Sequence, residues 1–103
     1  IPYYKFKVTP QMTDNVGTLS FGLLSEVIAT VTKNTLVVFQ KKNAMVEQMN
    51  LYYLKLVQLG SEIEIRPRVF EMGRRTAKLD IEVYTDTVLV AKATVVCQLM
   101  QKN

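Results

Sequence analysis

Asp14-Asn15-Val16-Gly17-Thr18-Leu19-Ser20-Phe21-Gly22 runs without a break into the apolar stretch 23–31. A polar turn, a glycine and a helix start, in that order, leave the first backbone N–H groups of the helix unpaired and facing outward. Such a place grips a phosphate or polarises a carbonyl oxygen. Thr18 or Ser20 is the expected N-cap. The helix is expected to run to about Thr32, with Glu26 set among Leu23, Leu24, Val27, Ile28 and Val31. A helix apolar nearly all round is one buried on most sides, as when a sheet encloses it. Its many β-branched residues give it poor intrinsic propensity, so packing must hold it.

Around that helix the chain alternates like strands. Residues 1–8 set Lys5 and Lys7 against Phe6 and Val8. Residues 10–16 are rich in turn formers. Residues 36–43 read either as a short helix or as an extended excursion. A long strand is expected over 44–56, then a turn at Gly60. The stretch 62–72 places Ile63, Ile65 and Val69 on one face and Glu62, Glu64, Arg66 and Arg68 on the other. Pro67 within it predicts a bulge or a locally unpaired edge. The stretches 75–84 and 88–100 complete the set.

Charge sets the register of the 62–72 and 75–84 hairpin. Met72 opposite Thr76 puts Arg68 against Asp80 and Arg66 against Glu82. A slip of two residues opposes Glu64 to Glu82 and Arg68 to Lys78, which costs roughly 0.2–1 kcal/mol per pair. The first register is therefore expected, with Gly73 taking a positive φ in the turn.

Composition narrows the chemistry. The 103 residues fit one domain and one core. Hydrophobic residues are 49% and charged residues 21%, as in ordinary globular chains. The strictly apolar runs reach only four residues, so no transmembrane helix and no membrane partner is expected. The chain begins at Ile1 without a secretory pattern, which reads as a domain excised from a longer protein, or a processed chain. There is no histidine, which removes Ser-His-Asp and Cys-His chemistry and His-ligated metals; no metal site is expected. Cys97, the one cysteine, lies in an alternating apolar run and reads as a small buried hydrophobe. The net charge of +4 reflects either a solvated basic surface or an anionic ligand. The cations are dispersed, which disfavours a DNA-reading module.

A strand, one buried helix and then about four antiparallel strands resemble the hotdog fold of acyl-CoA thioesterases. The motifs agree in order and spacing along nearly the whole chain. Gly17-Thr18-Leu19-Ser20-Phe21-Gly22 is similar to the Gly-Thr-Leu-His-Gly-Gly segment that opens the hotdog helix. Residues 54–60, followed by Glu62, resemble Phe-Leu-Arg-Pro-Val-x-x-Gly-Asp. Met72-Gly73-Arg74-Arg75-Thr76-Ala77 resembles Leu-Gly-Arg-Arg-Thr-Ala, and Val90-Ala91-Lys92-Ala93 resembles Val-Ala-x-Ala. The resemblance implies an α+β hotdog fold over 1–103, one long buried helix wrapped by an antiparallel sheet of about five strands. It also implies a cytoplasmic homodimer or higher homo-oligomer.

Three positions at the site depart from that family. Ser20 stands where the family has His, and Phe21 where it has the first glycine of the pair. The family's carboxylate, nine positions after the His, falls on Ala29. Two substitutes are available: Glu26, about one turn earlier, and Asp14, whose Asp14-Asn15-Val16-Gly17 matches an Asp-x-x-Gly of another branch. Asp14 is either a base or a loop residue bonded to nearby backbone N–H groups. Glu26 is either catalytic or a buried carboxylate paired with a Lys or Arg, within the chain or across a subunit interface. No cofactor is expected beyond a CoA thioester as ligand or substrate. Its carbonyl would meet the amides of Phe21 and Gly22, beside Asn15, Gly17 and Ser20. Arg74 and Arg75, with Lys41 or Lys42, would hold its phosphates; the alternative for the two arginines is a solvated turn. The chain also resembles the C-terminal hotdog domain of bacterial regulators that carry DNA-binding, DRTGG and paired CBS regions. There DNA is reached only through the other domains, and the hotdog binds an acyl-CoA or assembles the dimer. The competing expectations are thus an acyl-CoA-binding regulatory domain, a thioesterase, and a structural dimerisation module.

Overall fold

The computed structural model describes residues 3–100. Among these residues five strands form one sheet: β1 Tyr4–Lys7, β2 Ala44–Tyr53, β3 Glu62–Met72, β4 Thr76–Thr85 and β5 Val88–Leu99. Their order is β1-β3-β4-β5-β2, antiparallel throughout. An α-helix, α1 (Phe21–Gln40), packs on one face, preceded by a 3₁₀ turn at Pro10–Met12. The expected hotdog architecture is present. The first strand is shorter than expected, and the Ile1 and Pro2 part of that expectation lies outside the described residues.

Alternation along the strands builds the core. Ile63 and Ile65 of β3, Ala77, Leu79, Ile81 and Val83 of β4, and Ala91, Ala93, Val95, Cys97 and Leu99 of β5 are buried on the helix side. Leu24, Ile28, Val31, Thr32, Thr35 and Leu36 form the buried stripe of α1. Each large aliphatic side chain removed from water there contributes roughly 1.5–3 kcal/mol. Cys97 is fully buried, and burial pushes its thiol pKa up, as suits an inert core residue.

Four expectations need correction. First, α1 continues to Gln40 rather than ending near Thr32, which settles 36–43 as mostly helical. Buried Thr35 and Leu36 extend the core stripe by another turn and outweigh the weak propensity of the Thr- and Val-rich segment. Second, the helix is not enclosed on most sides: Phe21, Val37, Val38 and Phe39 are exposed. Third, at 20 residues α1 is long and apolar enough to cross a membrane by length and composition alone. Thr and Ser break the apolar runs without making the helix polar; its buried stripe nevertheless faces the sheet. Fourth, β2 ends at Tyr53, not at residue 56.

The hairpin register is right in its middle and wrong at its end. Arg68 faces Asp80 and Arg66 faces Glu82, as the charges required. The Arg68 guanidinium lies 2.7 Å from Asp80. Arg66 instead bonds Glu64 on its own strand and lies over the Tyr84 ring, 4.2 Å from its centroid. A bulge between Val69 and Glu71 then shifts the pairing, so Met72 opposes Ala77 rather than Thr76. Gly73 consequently has no positive φ; its N–H donates to the Thr76 carbonyl at 2.8 Å. Pro67 pairs with Ile81 without a bulge and lies beyond the described β1–β3 pairing, which ends at Tyr4 with Ile65.

Candidate functional site

The turn before α1 is held by Asp14. Its Oδ1 accepts from the N–H groups of Val16 (3.1 Å) and Thr18 (3.2 Å), and both carboxylate oxygens accept from the Thr18 hydroxyl, at 3.1 and 3.0 Å. Gly17 takes φ 78°, a conformation that favours glycine, and its N–H returns to the Asp14 carbonyl. The Thr18 N–H bond, foremost among these, holds the Asp14 carboxyl below its ordinary pKa. Asp14 is thus geometrically the loop-bonding residue. Neither Asp14, Asn15 nor Gly17 lines the cleft described next. Asn15 is exposed at the tip of the turn.

Ser20, not Thr18, caps the helix: its Oγ accepts from the Leu23 N–H at 3.1 Å. The Leu24 N–H bonds the Ser20 carbonyl at 3.0 Å. The amides of Phe21 and Gly22 have no partner among the described residues. The space around Gly22 is open, with no atom within 4 Å of where a Cβ would stand. Two free donors therefore sit at the positive end of a 20-residue helix, where the dipole favours negative charge.

A cleft of about 630 Å³ opens beside this helix start, between α1 and β2. Phe21, Ser25, Glu26 and Ala29 line it from the helix, and residues 49–52 from the strand. By register Met49 and Leu51 face the core side, paired with Val95 and Ala93. Among the described residues β2 has only β5 as neighbour, which leaves its other edge open along the cleft. Glu26 is exposed and makes no ion pair with the described residues, so the buried, paired carboxylate is not found within one protomer. Ser25, Met49, Asn50, Leu51 and Tyr52 were not singled out from sequence. Ser25 and Ala29 follow Phe21 at four-residue spacing, the one signal that places them on a common stripe.

Arg74 and Arg75 lie elsewhere. With Lys42, Gly73, Gln98 and Leu99 they line a second cavity, of about 740 Å³, beside the helix C-terminus. Neither arginine pairs with a described acidic residue. Lys41 ends α1 in the left-handed region at φ 55°, and the Lys42 N–H closes on the Leu36 carbonyl. The length of α1 puts this cavity about 30 Å from the free amides in the same protomer. The structure does not bring the expected carbonyl and phosphate groups together within one chain. Among the described residues no three of His, Cys, Asp and Glu cluster as metal ligands.

Comparison with known proteins places these features. A family profile described as "Thioesterase superfamily" matches residues 12–92. The chain is 34% identical over 100 residues to the uncharacterized protein YtoI of Bacillus subtilis, covering 97% of this chain and 23% of that protein. The chain thus spans about a quarter of the curated relative it matches. Among solved structures it is similar to smu.793 from Streptococcus mutans bound to acetyl CoA, with a TM-score of 0.88, 24% identity, and coverage of 98% and 82% of the two chains. It is also similar to a hypothetical thioesterase protein with coenzyme A from Streptococcus pneumoniae, with a TM-score of 0.91, 20% identity, and the same 98% and 82% coverage. At these identities the two structures establish the shared fold.

Proposed function

The chain belongs to the thioesterase superfamily, and from that premise we propose that it is an acyl-CoA-binding domain of a longer regulatory protein rather than an efficient hydrolase. The observation that carries this reading is Ala29. It lines the cleft at the position where resembling enzymes carry a carboxylate, so no acid or base stands there. Ser20 holds the position of the family's His, and its hydroxyl is committed to the helix cap. What remains is binding chemistry: two free amides aimed at a thioester oxygen, an adjoining cleft, and a separate cationic cavity suited to phosphates.

The 30 Å between those two groups supports a dimer. β2 is a ten-residue edge strand, about 33 Å long, with its outer edge unpaired. Antiparallel pairing with a second β2 about a two-fold axis sets the Ala44 end of one copy beside the Tyr53 end of the other. Lys42, Arg74 and Arg75 of one subunit then approach the helix start of its partner, and CoA spans the two. The known CoA-bound relatives share this fold, which agrees with such a ligand. The chain resembles the hotdog domain of regulators that also carry CBS, DRTGG and DNA-binding regions; on that reading any DNA contact belongs to such regions and not to this domain.

Calorimetric titration with acetyl-CoA and a longer acyl-CoA tests the reading: binding is expected with little hydrolysis of either. No heat from a folded protein overturns it. A second reading, thioesterase, has one observation in its favour, the Glu26 carboxylate on the rim of the cleft. Efficient turnover abolished by Glu26→Ala establishes that reading instead; turnover abolished by Asp14→Ala assigns the base to the turn.

A further inference from the structure

Tyr53 stands at the end of β2, and its hydroxyl occupies an unusual place. Residues 17–19 and 57–59 form a short antiparallel bridge centred on Thr18 and Gln58. The Leu59 N–H donates to the Gly17 carbonyl at 3.0 Å, and the Leu19 N–H to the Val57 carbonyl at 2.8 Å. A hydrogen-bonded antiparallel pair exchanges both bonds, so the Val57 N–H should answer to the Leu19 carbonyl. It does not. The Tyr53 hydroxyl is inserted between them: it accepts from the Val57 N–H at 3.1 Å and donates to the Leu19 carbonyl at 2.9 Å. One oxygen atom thus completes the pair whose other bond, Leu19 N–H to the Val57 carbonyl, is made directly.

The next residue after Leu19 is the N-cap. The Ser20 N–H is fixed to the Met12 carbonyl and its Oγ to the Leu23 N–H. The peptide joining Leu19 to Ser20 is therefore held at its carbonyl by Tyr53 and at its N–H by Met12. Its orientation sets where the amides of Phe21 and Gly22 point. We infer that Tyr53 is a positioning residue for the carbonyl-binding helix start. Its hydroxyl fixes the Leu19 carbonyl, which it ties to the Val57 N–H, and so aims the two free amides. This rests on the reading that those amides receive a thioester. It adds a residue outside the cleft lining, whose hydroxyl partners are backbone groups 34 and 4 residues away. Burial of the ring, opposed in part by the Val57 N–H, raises the Tyr53 pKa, so the hydroxyl stays protonated and able to donate at neutral pH.

Tyr53→Phe keeps the ring and removes the inserted oxygen. The measurement is the ratio of affinities for acetyl-CoA and free CoA, which differ in the thioester group, together with Tm and circular dichroism. The ratio is expected to fall by up to about tenfold, the usual weight of one aligned hydrogen bond, with free CoA held within about twofold. Ser20→Ala, which releases the Leu23 N–H at the same helix start, is expected to lower the same ratio. Ile81→Val, a core change, is expected to lower Tm and leave the ratio alone. An unchanged ratio in a folded Tyr53→Phe, or equal weakening of both ligands, overturns the positioning role. Wild-type protein that binds neither ligand overturns the acyl-CoA reading itself, a result visible before any variant is made.

Discussion

The two ends of α1 are built on opposite plans. At the start, polar groups are turned inward on the chain. Asp14 is used up by Val16 and Thr18, Ser20 by Leu23, and Tyr53 by Leu19 and Val57. What is left free is backbone. At the end, the backbone is closed by the Lys41 turn, and the side chains of Lys42, Arg74 and Arg75 line a cavity with no ion-pair partner among the described residues. One end offers backbone amides held by a hydrogen-bonded turn, the other long cationic side chains. Fixed dipoles suit a carbonyl oxygen whose position matters. Long cations suit phosphates that need only be nearby.

The hydrophobic floor beneath both ends should be equivalent. Leu24 and Leu36 are each fully buried, near opposite ends of α1. Leu24→Ala and Leu36→Ala are each expected to cost about 2–5 kcal/mol in denaturant unfolding. A large inequality would mean that one end is held by its surface network rather than by packing. The next effect in size separates the ends. Arg74→Ala with Arg75→Ala should weaken CoA binding roughly tenfold while leaving Tm unchanged. Added salt should erase most of the difference, because exposed phosphate contacts are screened. A fall in Tm without a loss of affinity would make the turn structural.

Lys41→Gly tests the closed backbone. A left-handed conformation costs a non-glycine residue roughly 1 kcal/mol, so the glycine variant should be more stable by about that amount. The smallest effect belongs to Asp14. Its pKa is depressed in the folded state, so its contribution is present above the unfolded value of 3.8 and fades as pH falls through the lower folded value. Asp14→Asn should therefore show a shallower loss of stability than wild type on acidification below about pH 4. Identical acid profiles would remove Asp14 from the turn's support.

Motif order and strand alternation carried the architecture, because both are local or nearly so. The charges that face one another at Arg68 and Asp80 were enough to choose the hairpin register. They could not reveal the bulge beyond Val69, where no like-charge clash penalises an extra residue, and so the turn at Gly73 came out differently. The helix end was hidden for a related reason. Thr35 and Leu36 continue α1 by tertiary burial, which a propensity reading of β-branched residues discounts. At the site, Ala29 was legible by counting from Ser20. Tyr53 was not, since its meaning depends on a bridge between residues 19 and 57 that no local pattern announces. The separation of Arg74 from Phe21 was equally invisible, because a motif list carries no length; a 20-residue helix does.

The strand order has a kinetic consequence. β2 is complete by residue 53, yet its partner among the described strands is β5, which begins only at residue 88. At typical rates of about 5–20 residues per second, β2 waits several seconds on the ribosome before residues 88–99 follow. During that interval α1 also lacks its floor, since β4 and β5 supply most of the apolar face beneath it. The nascent chain thus exposes a long apolar helix and an unpaired strand at once, the combination that invites premature association. Pairing so distant in sequence also makes folding slow. The domain is obliged to fold as a whole, after its final strand has emerged.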